Sequence, residues 1–253
     1  NSRLRIDRAF LTIGQLNKCP VYFSIGQMNA SFGGYGSYMV TTPGTRSLGK
    51  MTDRMAILGY TDSGLSAQVY GFAGETKYAA GAEALRHGGV NVEYKYGHDD
   101  VTLSVNAGVM GNLAESNKMQ DKIFGVSTAA ETITSRVLGY NGRAKLSLYD
   151  FDLSAEYVGA SKSFETTDLA FNGHGAKPQA LQFESAYIFK IKDKVNTVFA
   201  AFGMTSQALA LALPKQSFSA GYSIAPLKNT LASIEYRHDV NYGWNDTATS
   251  TDR

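Results

Sequence analysis

Along most of the chain, apolar and polar residues alternate one for one, the pattern of a strand with one face in an apolar medium and the other in a polar one. The clearest stretch is Val90-Asn91-Val92-Glu93-Tyr94-Lys95-Tyr96, followed after His98-Asp99-Asp100 by Val101-Thr102-Leu103-Ser104-Val105-Asn106-Ala107. The alternation returns in Tyr140 to Leu148, Phe151 to Gly159, Leu181 to Ile191 and Phe218 to Ile224. Helical periodicity is nearly absent. The pattern predicts about twelve strands, over residues 3–15, 21–32, 54–61, 65–74, 86–96, 101–110, 136–148, 152–161, 179–191, 195–205, 216–224 and 230–240. Most are about nine to thirteen residues long, close to what crosses a bilayer at a ~45° tilt.

The links between these strands sort by length. Those at 16–20, 62–64, 97–100, 149–152, 192–194 and 226–229 are tight, whereas those at 33–53, 111–135 and 162–178 are long and polar. Short turns at one end and long loops at the other are the signature of an outer-membrane barrel. Greek-key sandwiches have no reason to sort loops by end, and the Gly-His and Trp-Asp repeat of a propeller is missing. The expected fold is all-β, an antiparallel up-and-down transmembrane β-barrel in the bacterial outer membrane, one domain over residues 1–253. Both chain ends would emerge with the long loops, opposite to the usual arrangement, so strands are expected beyond each end. The intact barrel would then have about fourteen strands or more, sixteen included.

Composition narrows the classes without changing this picture. Charged residues make up 18% of the 253, below the roughly 25% of soluble proteins. A net charge of +2 with no basic block argues against nucleic acid as a partner. One cysteine, Cys19, excludes an internal disulfide framework and a CxxC metal site. No stretch approaches 18 consecutive apolar residues, so a membrane-spanning helix is not expected. A mean hydropathy of −0.19 looks soluble, but alternating strands cancel in such an average.

Strand parity assigns faces, because Arg or Lys on the lipid side at mid-membrane costs roughly 2–4 kcal/mol. Val90, Val92, Tyr94 and Tyr96 face lipid, and Asn91, Glu93 and Lys95 face the lumen. Likewise Arg143, Lys145, Glu156, Gln182, Glu184, Lys190, Glu235 and Arg237 point inward, and the charged ones among them, with Glu93 and Lys95, are the candidates for a solute path. The first, second, third and tenth strands break the alternation and leave their facing open. Tyr96, Tyr149, Phe151 and Phe189 lie beside short turns, where an interfacial aromatic girdle would sit. Counting back from a Tyr149–Asp152 turn with Leu148 opposite Leu153 sets Lys145 against Glu156. Arg143 would then be the freest of these charges to meet an anionic solute.

Other chemistry finds little support. His238-Asp239 is the kind of pair an outer-membrane protease uses, but adjacent strand residues point to opposite faces. Gly33-Gly34-Tyr35-Gly36 lacks the Lys-Ser/Thr and helix of a phosphate loop. Neither an enzymatic activity, a metal nor a cofactor is expected, and the apolar Ala208–Leu213 run reads as a loop patch or short helix.

The run Asp7-Arg8-Ala9-Phe10-Leu11-Thr12-Ile13-Gly14, then Pro20-Val21-Tyr22-Phe23-Ser24-Ile25-Gly26-Gln27, resembles the early strands of the LbtU family of siderophore porins. Ser31-Phe32-Gly33 and the Thr42–Lys50 loop are also similar to it, with Ala30-Ser31 where that family has Val-Pro. The likeness is best over residues 7–74 and architectural beyond. It implies passage of a ferric siderophore of polycarboxylate type, or a similar small anion, through a barrel without a plug. Outer-membrane lipid and neighbouring outer-membrane or periplasmic proteins would be its surroundings. The alternatives are a general diffusion porin and a structural or adhesive protein acting through its long loops.

Overall fold

The computed structural model describes residues 7–74, 76–78, 87–124 and 132–248. Twelve strands form one antiparallel sheet in strict chain order. They are β1 (Ala9–Gly14), β2 (Val21–Asn29), β3 (Thr52–Asp62), β4 (Leu65–Phe72), β5 (His87–His98) and β6 (Val101–Met110). The second half comprises β7 (Gly139–Leu148), β8 (Phe151–Ala160), β9 (Gln179–Ile191), β10 (Lys194–Ser206), β11 (Gln216–Ile224) and β12 (Ala232–Val240). β1 and β12 are the two edges of this wall. The meander and its sorted loops are those expected from the alternation.

Several short turns are two-residue hairpins, closing Asp62 on Leu65, His98 on Val101, Leu148 on Phe151 and Ile191 on Lys194. Their first central residues, Ser63, Asp99, Tyr149 and Lys192, have φ of 48°, 47°, 51° and 47°. Such left-handed turns match the twist of the flanking strands. Here the register expected between β7 and β8 is corrected. The turn is Tyr149-Asp150 alone, so Asp152 belongs to β8, Lys145 lies opposite Ser154, and Arg143 lies opposite Glu156. A slip of two residues leaves every side chain on its face and changes only its partner.

The outward face is apolar and exposed, with Val69, Val90, Val92, Tyr94, Val105, Leu153, Phe183 and Phe218 among its residues. The inward face buries Asn91, Asn106, Glu156, Gln182, Glu184, Ser217 and Ser219. An apolar belt on this scale is costly in water and is what lipid requires. Among the described residues no helix is long and apolar enough to cross a membrane.

Two short helices, α1 (Gly44–Gly49) and α2 (Asn117–Phe124), sit in the long loops, where the sequence showed no helix. A 3₁₀ turn at Leu209–Leu211 occupies the apolar run read as a loop patch or short helix. The long loops fold over the inner side of the wall and build the core. Phe32, Leu48, Met51, Leu113, Met119, Val137, Phe164 and Leu211 pack there with Met55 and Ile57 of β3, Tyr70 and Phe72 of β4, Met110 of β6 and Val158 of β8. That packing explains why β3 broke the alternation, since its inward residues at this end face an apolar core. On β2, Gly26 has φ +137°, and a Cβ there would lie 2.4 Å from the Ala9 carbonyl oxygen, so the close approach of β1 requires glycine.

Candidate functional site

The loop joining β2 to β3, residues 30–51, runs across the inward face and is held there by carboxylates. Glu156 Oε1 on β8 accepts from the backbone N–H groups of Gly34 and Tyr35, each at 3.0 Å. Its Oε2 accepts from the Thr45 hydroxyl of α1 at 2.9 Å. Glu184 on β9 accepts from the Ser37 hydroxyl at 2.5 Å and the Tyr38 N–H at 2.8 Å. Glu235 on β12 accepts from the Val40 and Thr41 N–H groups at 2.5 and 3.0 Å, and from the Thr41 hydroxyl at 2.5 Å. Cations take the loop's carbonyls: Arg143 donates to Gly36 O at 2.8 Å and Arg237 to Thr42 O at 3.3 Å. α1 packs against β8, β9 and β10, completing a strap across the lumen from β7 to β12.

The loop's sequence fits this course. Without a Cβ, Gly34 and Gly36 let the loop lie against the guanidinium of Arg143; a Cβ on Gly34 would come within 2.5 Å of Arg143 Cδ. Exposed N–H groups at Gly34 and Tyr35 then meet a carboxylate instead of a phosphate. Tyr38 reaches the wall as well, its hydroxyl donating to Asp152 Oδ2 while Lys145 lies 5.6 Å from its ring centroid. Burial first, and then the bond to Asp152, raise the Tyr38 phenol above its ordinary pKa, so it stays neutral and remains a donor.

Glu93, Lys95, Arg143, Lys145 and Glu184 together line a cavity of about 430 Å³ on the inner wall, closed on one side by Ser37 and Tyr38. Lys145 Nζ is 2.6 Å from Asp152 and Lys95 Nζ is 3.3 Å from Glu93. Asp152, read from sequence as a turn residue, is therefore a lumen group that the sequence reasoning missed. Arg237, which also bonds Asp239 at 2.8 Å, faces a second cavity of about 420 Å³ beyond α1. Glu156 lies beneath the loop, and Lys190 stands exposed near a short turn away from both cavities. Tyr96, Tyr149 and Phe151 are exposed beside short turns, and Phe189 stacks on Tyr187, which meets Phe151 at 4.7 Å between ring centroids. Among the described residues, no group of three His, Cys, Asp or Glu side chains is placed to hold a metal ion.

This wall has the fold of a solved outer-membrane protein. The structure described as "Outer-membrane expressed OmpT of Vibrio cholerae" superposes with a TM-score of 0.55 at 13% identity, covering 92% of this chain and 70% of that one. With its outward apolar belt, the chain is a protein of the bacterial outer membrane. Its homologues are UPF0422 proteins of Gram-negative bacteria. It is 37% identical to one from Coxiella burnetii over 99% of this chain and 54% of that protein. To another, from Legionella pneumophila strain Philadelphia 1, it is 36% identical over 96% of this chain and 48% of that protein. The chain thus spans about half the length of the curated relatives it matches. No family model matches it. These names do not carry the LbtU resemblance further.

Proposed function

We propose that the chain is part of an outer-membrane pore for small hydrophilic solutes, narrowed from within by the 30–51 strap. The observation that carries this reading is the set of three inward carboxylates, Glu156, Glu184 and Glu235, whose oxygens are occupied by the loop's own donors. A loop that merely covered an outer surface would have no need of charged anchors spaced along the inner wall. Anchored this way, the strap sets the width of the lumen while leaving polar cavities beside it.

Passive diffusion fits this geometry better than dedicated capture of a ferric polycarboxylate siderophore. The one planar fork of the inner cavity, Arg143, is committed in part to the strap, and its two lysines are point charges, which do not grip a carboxylate bidentately. The siderophore reading rests on the resemblance of residues 7–74. The test is incorporation of the full-length protein into planar lipid bilayers. Discrete, ohmic conductance steps in KCl are expected, and a folded, inserted protein that conducts nothing would overturn the reading.

A further inference from the structure

The inner cavity is formally balanced, with Lys95, Arg143 and Lys145 against Glu93, Asp152 and Glu184. Its hydrogen-bonding capacity is not balanced. Glu184 takes Ser37 on one oxygen and the Tyr38 N–H on the other. Glu93 takes Ser104 on one oxygen and Lys95 on the other. Asp152 takes Lys145 and the Tyr38 hydroxyl on the same oxygen. The three carboxylates offer about twelve lone-pair sites, of which these bonds and that of Ser147 to Asp152 fill seven. Each ammonium brings three donors and the guanidinium five, so the cations keep more donors than the carboxylates keep acceptors. Among the described residues, Arg143 has no carboxylate ion pair at all; it donates to the neutral carbonyl of Gly36.

Exposure follows the same asymmetry. Lys95 is 61% exposed against 28% for Glu93, and Lys145 is 32% exposed against 10% for Asp152. The negative groups lie against the wall and the strap, and the positive groups stand into the space. Register makes them converge, since Lys95 on β5 and Lys145 on β7 are both partners of Ser104 on β6. Their Cα atoms thus flank β6 about 10 Å apart, at two strand spacings, and Arg143 lies two residues further along β7.

We propose that this cavity is a binding subsite for a small phosphate-type oxyanion, either inorganic phosphate or the terminal phosphate of a monoester. The inference rests on the pore reading for access and deepens it by naming a solute class. A planar carboxylate is satisfied by one guanidinium fork. Here two point-charge ammonium groups and a fork approach from two strands, with the hydroxyls of Thr102 and Ser154 also lining the space. Donors arriving from several directions suit a tetrahedral dianion. A cavity of about 430 Å³ holds such a group with part of its water shell, at about 30 Å³ per water.

The test is chloride conductance of the full-length protein in bilayers, titrated with inorganic phosphate, and separately with succinate at matched ionic strength. Millimolar phosphate is expected to reduce the chloride current of the native protein. Lys95→Gln/Lys145→Gln is expected to raise the half-blocking concentration at least tenfold, and Lys228→Gln, in the β11–β12 turn, is expected to leave it unchanged. Equal block by succinate, or block that survives in the double variant, would overturn the phosphate subsite while leaving the pore intact. If the protein conducts nothing, the pore reading fails. Radiolabelled phosphate binding to the detergent-solubilised protein, native against double variant, then decides the subsite independently: loss of binding in the variant supports it, and absent or unchanged binding overturns it.

Discussion

Glu156 meets three donors from the strap with two oxygens, and each such bond to a charged acceptor contributes about 1.5–3 kcal/mol. The arrangement needs Gly34, because the Arg143 side chain occupies the place where its Cβ would be. Gly34→Ala should displace either the strap or Arg143 by several tenths of an ångström. The expected outcome is altered unit conductance with native strand content by circular dichroism; unchanged conductance would mean that the strap does not bear on the current path. At this scale the sequence disclosed which way residues face but not what they touch. Parity put Glu156, Glu184 and Glu235 inward. Their partners are backbone N–H groups up to 195 residues away in sequence, which no local pattern encodes. The Gly33-Gly34-Tyr35-Gly36 run was the available signal, and its exposed donors serve a carboxylate.

Among the elements, β5 shows why alternation was legible: Val92 faces outward and Asn91 lies buried on the inner side. Val92→Arg should cost about 2–4 kcal/mol if this face meets lipid near mid-membrane. Ser66→Arg, on the inward face of β4, should stay within about 0.5 kcal/mol. Denaturant titrations of refolding into phospholipid vesicles compare the two, and equal costs would contradict the assignment of faces. β3 was not legible for the complementary reason. Met55 and Ile57 point inward but meet Phe32, Leu48 and other loop residues, so both faces of that strand are apolar at the loop end. The β7–β8 register failed on turn chemistry alone, because Tyr149 adopts a left-handed conformation and closes the hairpin in two residues.

Over the described residues, the chain forms a twelve-stranded wall whose inner side changes character along its height, from an apolar core under the long loops to charged cavities beside the strap. The loop end carries its own tether, in which Asp246 Oδ1 accepts from Asn172 Nδ2 at 3.0 Å and Oδ2 from the Gly243 N–H at 2.9 Å. The Asn172 bond, then the Gly243 bond, hold the Asp246 carboxyl below its ordinary range. A depressed folded value means that the contribution is present above the unfolded pKa and lost as pH falls through the folded one. The Asn172 N–H donates to Thr247 O at 3.0 Å and the Thr247 N–H to Asn172 Oδ1 at 2.7 Å, so hydrogen-exchange protection of these two amides should persist through the ordinary carboxylate range and disappear only below it. Loss at higher pH would show that Asp246 does not hold this contact.

The strap as the element that sets the lumen's width is tested most directly by the unit conductance of Glu156→Gln/Glu184→Gln/Glu235→Gln against the native protein in the same bilayer and salt. With all three anchors neutralised and the barrel still folded, shown by retained heat-modifiable gel mobility, the expected result is a larger and noisier conductance. A folded triple variant with the native unit conductance would contradict the account.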